Sequence, residues 1–319
     1  MNFSVPATSA NLGPGFDSLG LSLSYRNYFS IVESSKEHIN VNGEGMNNPH
    51  FTQDNTFVKI FMQTYKALGG DSQFSFTFQN NIPVSRGMGS SSAVIVGAIF
   101  AAYKMAKLIP NKDEVLNLAL KYEKHPDNIT PATFGGFNAS MISQKFIESK
   151  DSKQDSIKKD SIKNPKLIKS DVVTYIRKSI PKVVKSVMVI PNKPMNTKKS
   201  RTILPKTYST KDCVFNISHS CMLSLAFILQ KWELLRESSL DKMHENARME
   251  TYPVLFSVQK LALNNGALMS TLSGSGSSIF SLCYSEDSKR LAKKMAESFP
   301  RFRILTLDFD NDGVKIEKD

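Results

Sequence analysis

Cysteine is scarce in this chain of 319 residues. Cys213, Cys221 and Cys283 are odd in number, widely spaced and without a Cys-x-x-Cys or a histidine cluster beside them, which excludes a disulfide framework and a zinc knuckle. A reducing, cytoplasmic setting is expected. With 16 glycines and 14 prolines the chain is neither collagen-like nor of low complexity. Long apolar runs are also missing: residues 93–103 are interrupted by Gly97 and stop at Lys104, short of the roughly 20 residues that span a bilayer. Met1-Asn2-Phe3-Ser4 has neither the basic nor the apolar region of a secretion signal, so no membrane association is expected.

What is present fits a globular protein of about two domains, at roughly 150 residues each. Hydrophobic residues make up 40% and charged residues 22%, and the net charge is +12. That charge is local. Residues 145–211 hold 18 Lys or Arg against 5 Asp or Glu, leaving 23 against 24 elsewhere. Within it, residues 148–170 alternate Lys with Ser and Asp, lack a sustained apolar period and contain no aromatic residue. Such a segment reads as a solvated insertion or surface hairpin, because single-strand grooves interleave aromatics with charge. Nucleic acid is therefore not expected as a partner.

Three units follow: a block at 1–147, a basic insertion or linker at 148–185, and a block at 186–319. In the first, strands are expected at 2–5, 28–32 and 73–78 and helices at 56–68, 90–108 and 113–123. In the second, strands are expected at 186–190, 267–273, 279–284 and 302–307 and helices at 214–231, 253–263 and 287–299. The mixture, without a strict βαβ repeat, favours α+β over a doubly wound sheet.

Three segments carry the chemistry. Pro83-Val84-Ser85-Arg86-Gly87-Met88-Gly89-Ser90-Ser91-Ser92-Ala93 leaves a strand and enters the apolar helix. Its glycines allow close backbone approach, and the free N–H groups at the helix start suit a phosphate. The Gly-Lys-Ser/Thr ending of a Walker A loop is absent, so a metal and other basic groups must neutralise the charge. An N-capped helix after a tight turn would look similar. The second segment, 6–20, is too rich in small and polar residues for a core strand; Asn11 and Asp17 offer groups for a ligand bearing an amine or hydroxyl, and an ordinary Gly-Pro loop is the alternative. The third, 273–278, places glycines between two apolar runs, as a tight hairpin would also do.

Taken together, these segments resemble the GHMP kinase superfamily, and within it the homoserine kinase family. Residues 83–93 are similar to the family's Pro-x-x-x-Gly-Leu-Gly-Ser-Ser-Ala loop, and 273–278 to its C-terminal glycine-rich motif. The run 6–20 is similar to the N-terminal signature; Glu123-Lys124-His125-Pro126-Asp127-Asn128 with Gly135-Gly136 resembles Glu-Gly-His-Pro-Asp-Asn followed by Gly-Gly; and 196–205 resembles Ser-Thr-x-x-Ala-Arg-x-x-Leu-Pro. Departures are Met88 for Leu, Ser92 for Ala, Lys124 for Gly, and Ser277-Ser278 where Pro-Thr is commoner. Only 148–185 has no counterpart.

The resemblance implies a two-domain GHMP kinase fold of the α+β class, with an N-terminal ribosomal-protein-S5-domain-2-like part and a C-terminal ferredoxin-like part. It implies an ATP-dependent enzyme that converts L-homoserine to O-phospho-L-homoserine in threonine biosynthesis, with ATP as co-substrate and Mg2+. The sequence does not give the oligomeric state, and a homodimer is one assembly left open. By similarity Asp17 takes the ammonium, Arg201 and Arg248 the carboxylate, and Asn11, Asn128, His125 and Thr197 complete the substrate shell. Residues 83–93 hold ATP, and Ser91 and Glu123 match the metal partners; Glu123, Asn128 and Arg201 carry the catalytic roles. Arg248 is the loosest match, with an exposed helix charge as its alternative. No dedicated general base is expected: Asp127 reads equally as a helix cap, and His125 is the lesser candidate. A sister kinase for mevalonate or a diphosphocytidyl polyol would share the 83–93 loop but lack the Asp17 plus Arg201 bracket. A basic nucleic-acid binder would bind strongly with a steep salt dependence.

Overall fold

Chain order and hydrogen-bond register divide the secondary structure between two sheets in the computed structural model, which describes residues 1–148 and 167–318. Strands β1 (Asn2–Ala10), β2 (Leu19–Glu33), β3 (His38–Gly43) and β4 (Phe74–Asn80) enclose helices α1 (His50–Gln53) and α2 (Thr56–Ala67). Helices α3 (Ser90–Met105), α4 (Lys112–Ala119) and α5 (Pro126–Phe134) follow, then β5 (Phe137–Glu148), β6 (Leu167–Lys178) and β7 (Val184–Ile190). The remainder is α6 (Thr197–Thr202), α7 (Thr210–Leu229), α8 (Leu235–Ser238), α9 (Glu245–Met249), α10 (Val254–Asn264), β8 (Met269–Leu272), β9 (Ile279–Tyr284), α11 (Ser288–Ser298), β10 (Arg303–Leu307) and β11 (Lys315–Ile316).

The first sheet has the order β11-β1-β2-β4-β3, with β5 on the early part of β2 and β6 on β5. Alternating Phe74, Phe76 and Phe78 meet Phe3, Phe29, Phe57 and Phe61 in its core. Helix α3 is apolar on nearly every side and is accordingly buried along most of its length, which fixes its N-terminus against the site. The second sheet is antiparallel with the order β10-β7-β9-β8, the ferredoxin-like arrangement expected. Helices α10 and α11 bury Leu255, Val258, Leu291 and Met295 against it.

Three expectations change. Residues 6–10 are a core strand after all: they extend β1, fully buried, with a register shift between Pro6 and Ala7. Small side chains are what let residues 87–89 approach that strand, with the Thr8 N–H donating to Met88 O at 3.2 Å. The expected 148–185 linker is not one unit. Leu167–Lys178 is β6, paired with β5 from Phe137↔Lys178 to Glu148↔Leu167, so the two strands carry the sheet outward; residues 149–166 lie outside the described residues. Finally, 186–319 is not a separate block, because β11 returns to β1 and Phe309 bridges to Leu23.

Among the described residues one helix, α7, is long and apolar enough by length and composition to cross a membrane, which the broken run of Ser and Asn in its sequence concealed. One side packs inward, Phe227 stacking on Phe137 at 4.3 Å, while Val214, Ile217, Leu225 and Leu229 are exposed.

Candidate active site

The N-terminus of α3 opens into a cavity of about 320 Å3 that is lined from both halves of the chain. Gly89 precedes the helix with φ +69°, and a Cβ there would stand 1.9 Å from Thr8 Oγ1. Gly87, at φ +76°, is equally closed: a Cβ would meet Ser273 O at 2.0 Å. Only glycine fits either place, and the helix start has no side-chain cap, which leaves its N–H groups for a ligand. Ser273 Oγ also donates to Gly87 O at 2.7 Å, tying the third glycine segment to the first.

Opposite the loop stand acids and bases. The Arg201 guanidinium donates to Asp17 through both arms, at 3.0 and 2.6 Å. His125 lies 3.8 Å from Asp17 Oδ2 through Nε2 and 3.6 Å from Glu123 Oε1 through Nδ1, ion-pair separations rather than hydrogen bonds. The Glu123 carboxylate, aided by Asp17, raises its pKa against the opposing effect of burial. Asp127 is almost wholly buried beside these groups and lines the cavity. Burial first, then the Asp17 charge, pushes its carboxyl up to about 7. Arg248 is fully buried, and burial together with the neighbouring Arg201 lowers its pKa.

The segment that supplies Asp17 is held by Asn11. Asn11 Nδ2 donates to Gly274 O at 3.0 Å, and Asn11 Oδ1 accepts from the Asp17 N–H at 3.0 Å. Asn128 Oδ1 accepts from Thr8 Oγ1 at 2.7 Å, so the amide nitrogen is turned away from that bond.

Residues 55–136 match the GHMP kinases N terminal domain and 226–301 the GHMP kinases C terminal domain. The chain is 49% identical over 319 residues to a homoserine kinase of Helicobacter pylori strain J99, covering 100% of both. It is 51% identical over 317 residues to one of Helicobacter hepaticus, covering 99% of both. The chain belongs to the homoserine kinase family. In fold it is similar to a homoserine kinase from Cytophaga hutchinsonii (TM-score 0.82, 23% identity, 99% of this chain and 97% of that one). A mevalonate kinase gives TM-score 0.68 at 16% identity, covering 98% and 100%.

In this family member the cavity brings together Asn11, Asp17, Glu123, His125, Asn128, Arg201, Arg248 and the loop from Pro83 to Ser92. Ala93 departs from expectation: it is buried in the core, and its N–H already donates to Gly89 O at 2.9 Å. The Arg86 guanidinium donates to the carbonyls of Val84, Pro191 and Asn192 and so ties the loop to the segment after β7. Thr197 begins α6, the helix that carries Arg201; its side chain lies outside the described residues. Asp127 is not the cap of α5, a place taken by His125. Arg248 is not an exposed helix charge.

Sequence reasoning passed over Phe16 and His244. Arg201 and Arg248 lie over the Phe16 ring at 5.2 and 5.1 Å, and His244 stacks on it at 5.0 Å. The four-residue spacing of His244 and Arg248 was the available signal. The outer wall, His50, Phe51, Asp54 and Asn55, was also unforeseen, since nothing local marks it.

Proposed function

We propose that the protein transfers the γ-phosphoryl group of ATP to the side-chain hydroxyl of L-homoserine, giving O-phospho-L-homoserine and ADP for threonine biosynthesis. The observation that carries this reading is the Asp17–Arg201 pair within the cavity that the α3 N-terminus faces. An amino acid can exchange partners with that pair: its ammonium replaces the guanidinium at Asp17, and its carboxylate replaces Asp17 at Arg201, with Arg248 beside it. A mevalonate-type substrate has no ammonium to offer Asp17.

The phosphates of ATP rest on backbone N–H groups of residues 87–92. Among the described residues no cluster of three or more His, Cys, Asp or Glu could hold a metal ion. That fits Mg2+, which takes one or two protein oxygens and otherwise phosphate and water; Glu123 and Ser91 are the donors. When bound, Mg2+ neutralises charge on the phosphates.

In transfer the substrate oxygen bonds to the γ-phosphorus as the bond to the bridging oxygen breaks, and the hydroxyl proton leaves with the phosphate or to water. Positioning and electrostatics suffice for a loose transition state. His125 is held towards its cation by Glu123 and so is a poor base. Asp127, its carboxyl pushed up to about 7 mainly by burial, is the alternative base, and the pH profile of its variant decides between the two. A mechanism without a dedicated base rests on the loose transition state.

Three free thiols and two soluble substrates support a cytoplasmic setting. A homodimer would use α7, whose exposed side carries no charged residue between Cys213 and Leu229 and so lets two chains of net charge +12 approach. Light scattering of Ile217→Lys against the native chain tests this, with loss of a dimer expected.

ADP release measured with homoserine, with mevalonate and without acceptor tests the activity. Turnover on mevalonate with none on homoserine would end this reading.

A further inference from the structure

His244 occupies a place that the proposed chemistry does not use. It is 1% exposed, sits one residue before α9, and no substrate role falls to it. Its ring nonetheless makes two polar contacts. Nδ1 is 3.2 Å from Arg248 NH1, and Nε2 is 2.8 Å from Gly13 O.

The donors and acceptors leave one arrangement. A guanidinium only donates, so Nδ1 must accept; a carbonyl only accepts, so Nε2 must carry the proton. The ring is therefore neutral and in a single tautomer. Burial and the Arg248 charge lower its pKa, while Asp241 and Asp17 act in the opposite direction.

Both ends of this contact are fixed. Asp241 Oδ2 accepts the N–H groups of His244 and Glu245, at 2.7 and 2.8 Å, and Asp241 Oδ1 accepts from Asn216 Nδ2 of α7 at 2.7 Å. At the other end, a Cβ on Gly13 would lie 2.0 Å from Ser239 O, so the segment bearing Gly13 is pressed against the same region. The flat face of the ring supports Phe16, which carries Arg201 and Arg248 above it.

We propose that His244, as a neutral Nε2-protonated imidazole locked by the Gly13 carbonyl, is the positioning residue that aims Arg248 at the substrate carboxylate. The inference rests on the reading that Arg248 takes that carboxylate. A long arginine side chain otherwise has several rotamers; the acceptor at Nδ1, with Gly274 O at 3.1 Å from the same NH1, selects one.

The test is the steady-state kinetics of His244→Asn, His244→Gln and His244→Ala, each alone and combined with Arg248→Ala, with unfolding midpoints recorded. Asparagine keeps an acceptor near the place of Nδ1 and needs no tautomer lock. Glutamine keeps only the reach of Nε2. Expected are a KM for homoserine raised about tenfold or more in the Gln and Ala variants, an unchanged KM for ATP, and Asn within about threefold of the native chain. In the Arg248→Ala background the His244 substitutions should add nothing. Equal effects of Asn and Gln, or additivity with Arg248→Ala, would overturn the proposal; should the Ala variant not fold, the Asn and Gln pair decides. If Arg248→Ala raises the homoserine KM and no His244 variant does, this inference alone falls. If Arg248→Ala leaves it unchanged, the carboxylate assignment falls with it.

Discussion

Asp17 and Arg201 are each other's partners across the cavity, joined by two hydrogen bonds although 184 residues apart in the chain. Each group holds its counter-charge where a ligand's would go. On the function proposed above, substrate binding is an exchange of ion pairs rather than the burial of a bare charge, and the planar guanidinium fork matches either carboxylate.

Replacing Arg201 with Lys exchanges that fork for a point charge. The KM for homoserine should rise about tenfold or more while the KM for ATP changes little. Initial-rate kinetics with each substrate varied in turn will show it; an unchanged homoserine KM would place the substrate elsewhere.

Glu123→Gln keeps the size of the side chain and removes the carboxylate proposed for the metal. Turnover should fall by about 100-fold or more, with a higher Mg2+ requirement, because charge on the transferring group loses stabilisation. A magnesium titration of the rate is the measurement.

Asp127 gives a prediction in two parts. Its folded pKa of about 7 lies above the ordinary carboxyl value of 3.8, so the folded form keeps a proton that the unfolded chain gives up as pH rises. The stabilisation is complete below about pH 4 and lost by about pH 7, at most about 4 kcal/mol at roughly 1.4 kcal/mol per pKa unit. Urea unfolding across this range should show that slope in the native chain and a flatter one in Asp127→Asn. Turnover of the variant should fall less than about tenfold, whereas loss of a general base costs about 100- to 10,000-fold together with the acid limb of the pH profile.

Gly89→Ala should destabilise the protein and weaken ATP binding together, since the new Cβ meets Thr8 Oγ1 and the backbone has φ +69°. Thermal unfolding with and without ATP reads both effects. A variant of native stability and ATP affinity would show that the loop can move without loss.

Replacing residues 149–166 with a short turn should leave activity intact, because none of the residues proposed for the site lies among them. Extending the deletion through Ser170 removes Leu167–Ser170, which pair with Lys145–Glu148, and should lower the unfolding midpoint. The contrast between the two deletions locates the boundary of the sheet.

The sequence by itself determined the α+β class, the helix behind residues 83–89 and most of the residues that line the cavity, because glycine spacing, helix periodicity and short motifs are local properties of the chain. It did not determine where strands end. Residues 6–10 are small and polar yet form a buried strand, since partners from 88, 128 and 273 satisfy them, and no local pattern announces partners so distant. Leu167–Lys178 likewise became a strand only because β5 lies beside it. Arg248 and His244 were decided the same way. Their charge and tautomer depend on Gly13, Gly274 and Phe16, which only folding brings within 3 to 5 Å, and in a buried site those neighbours outweigh every preference the residues carry alone.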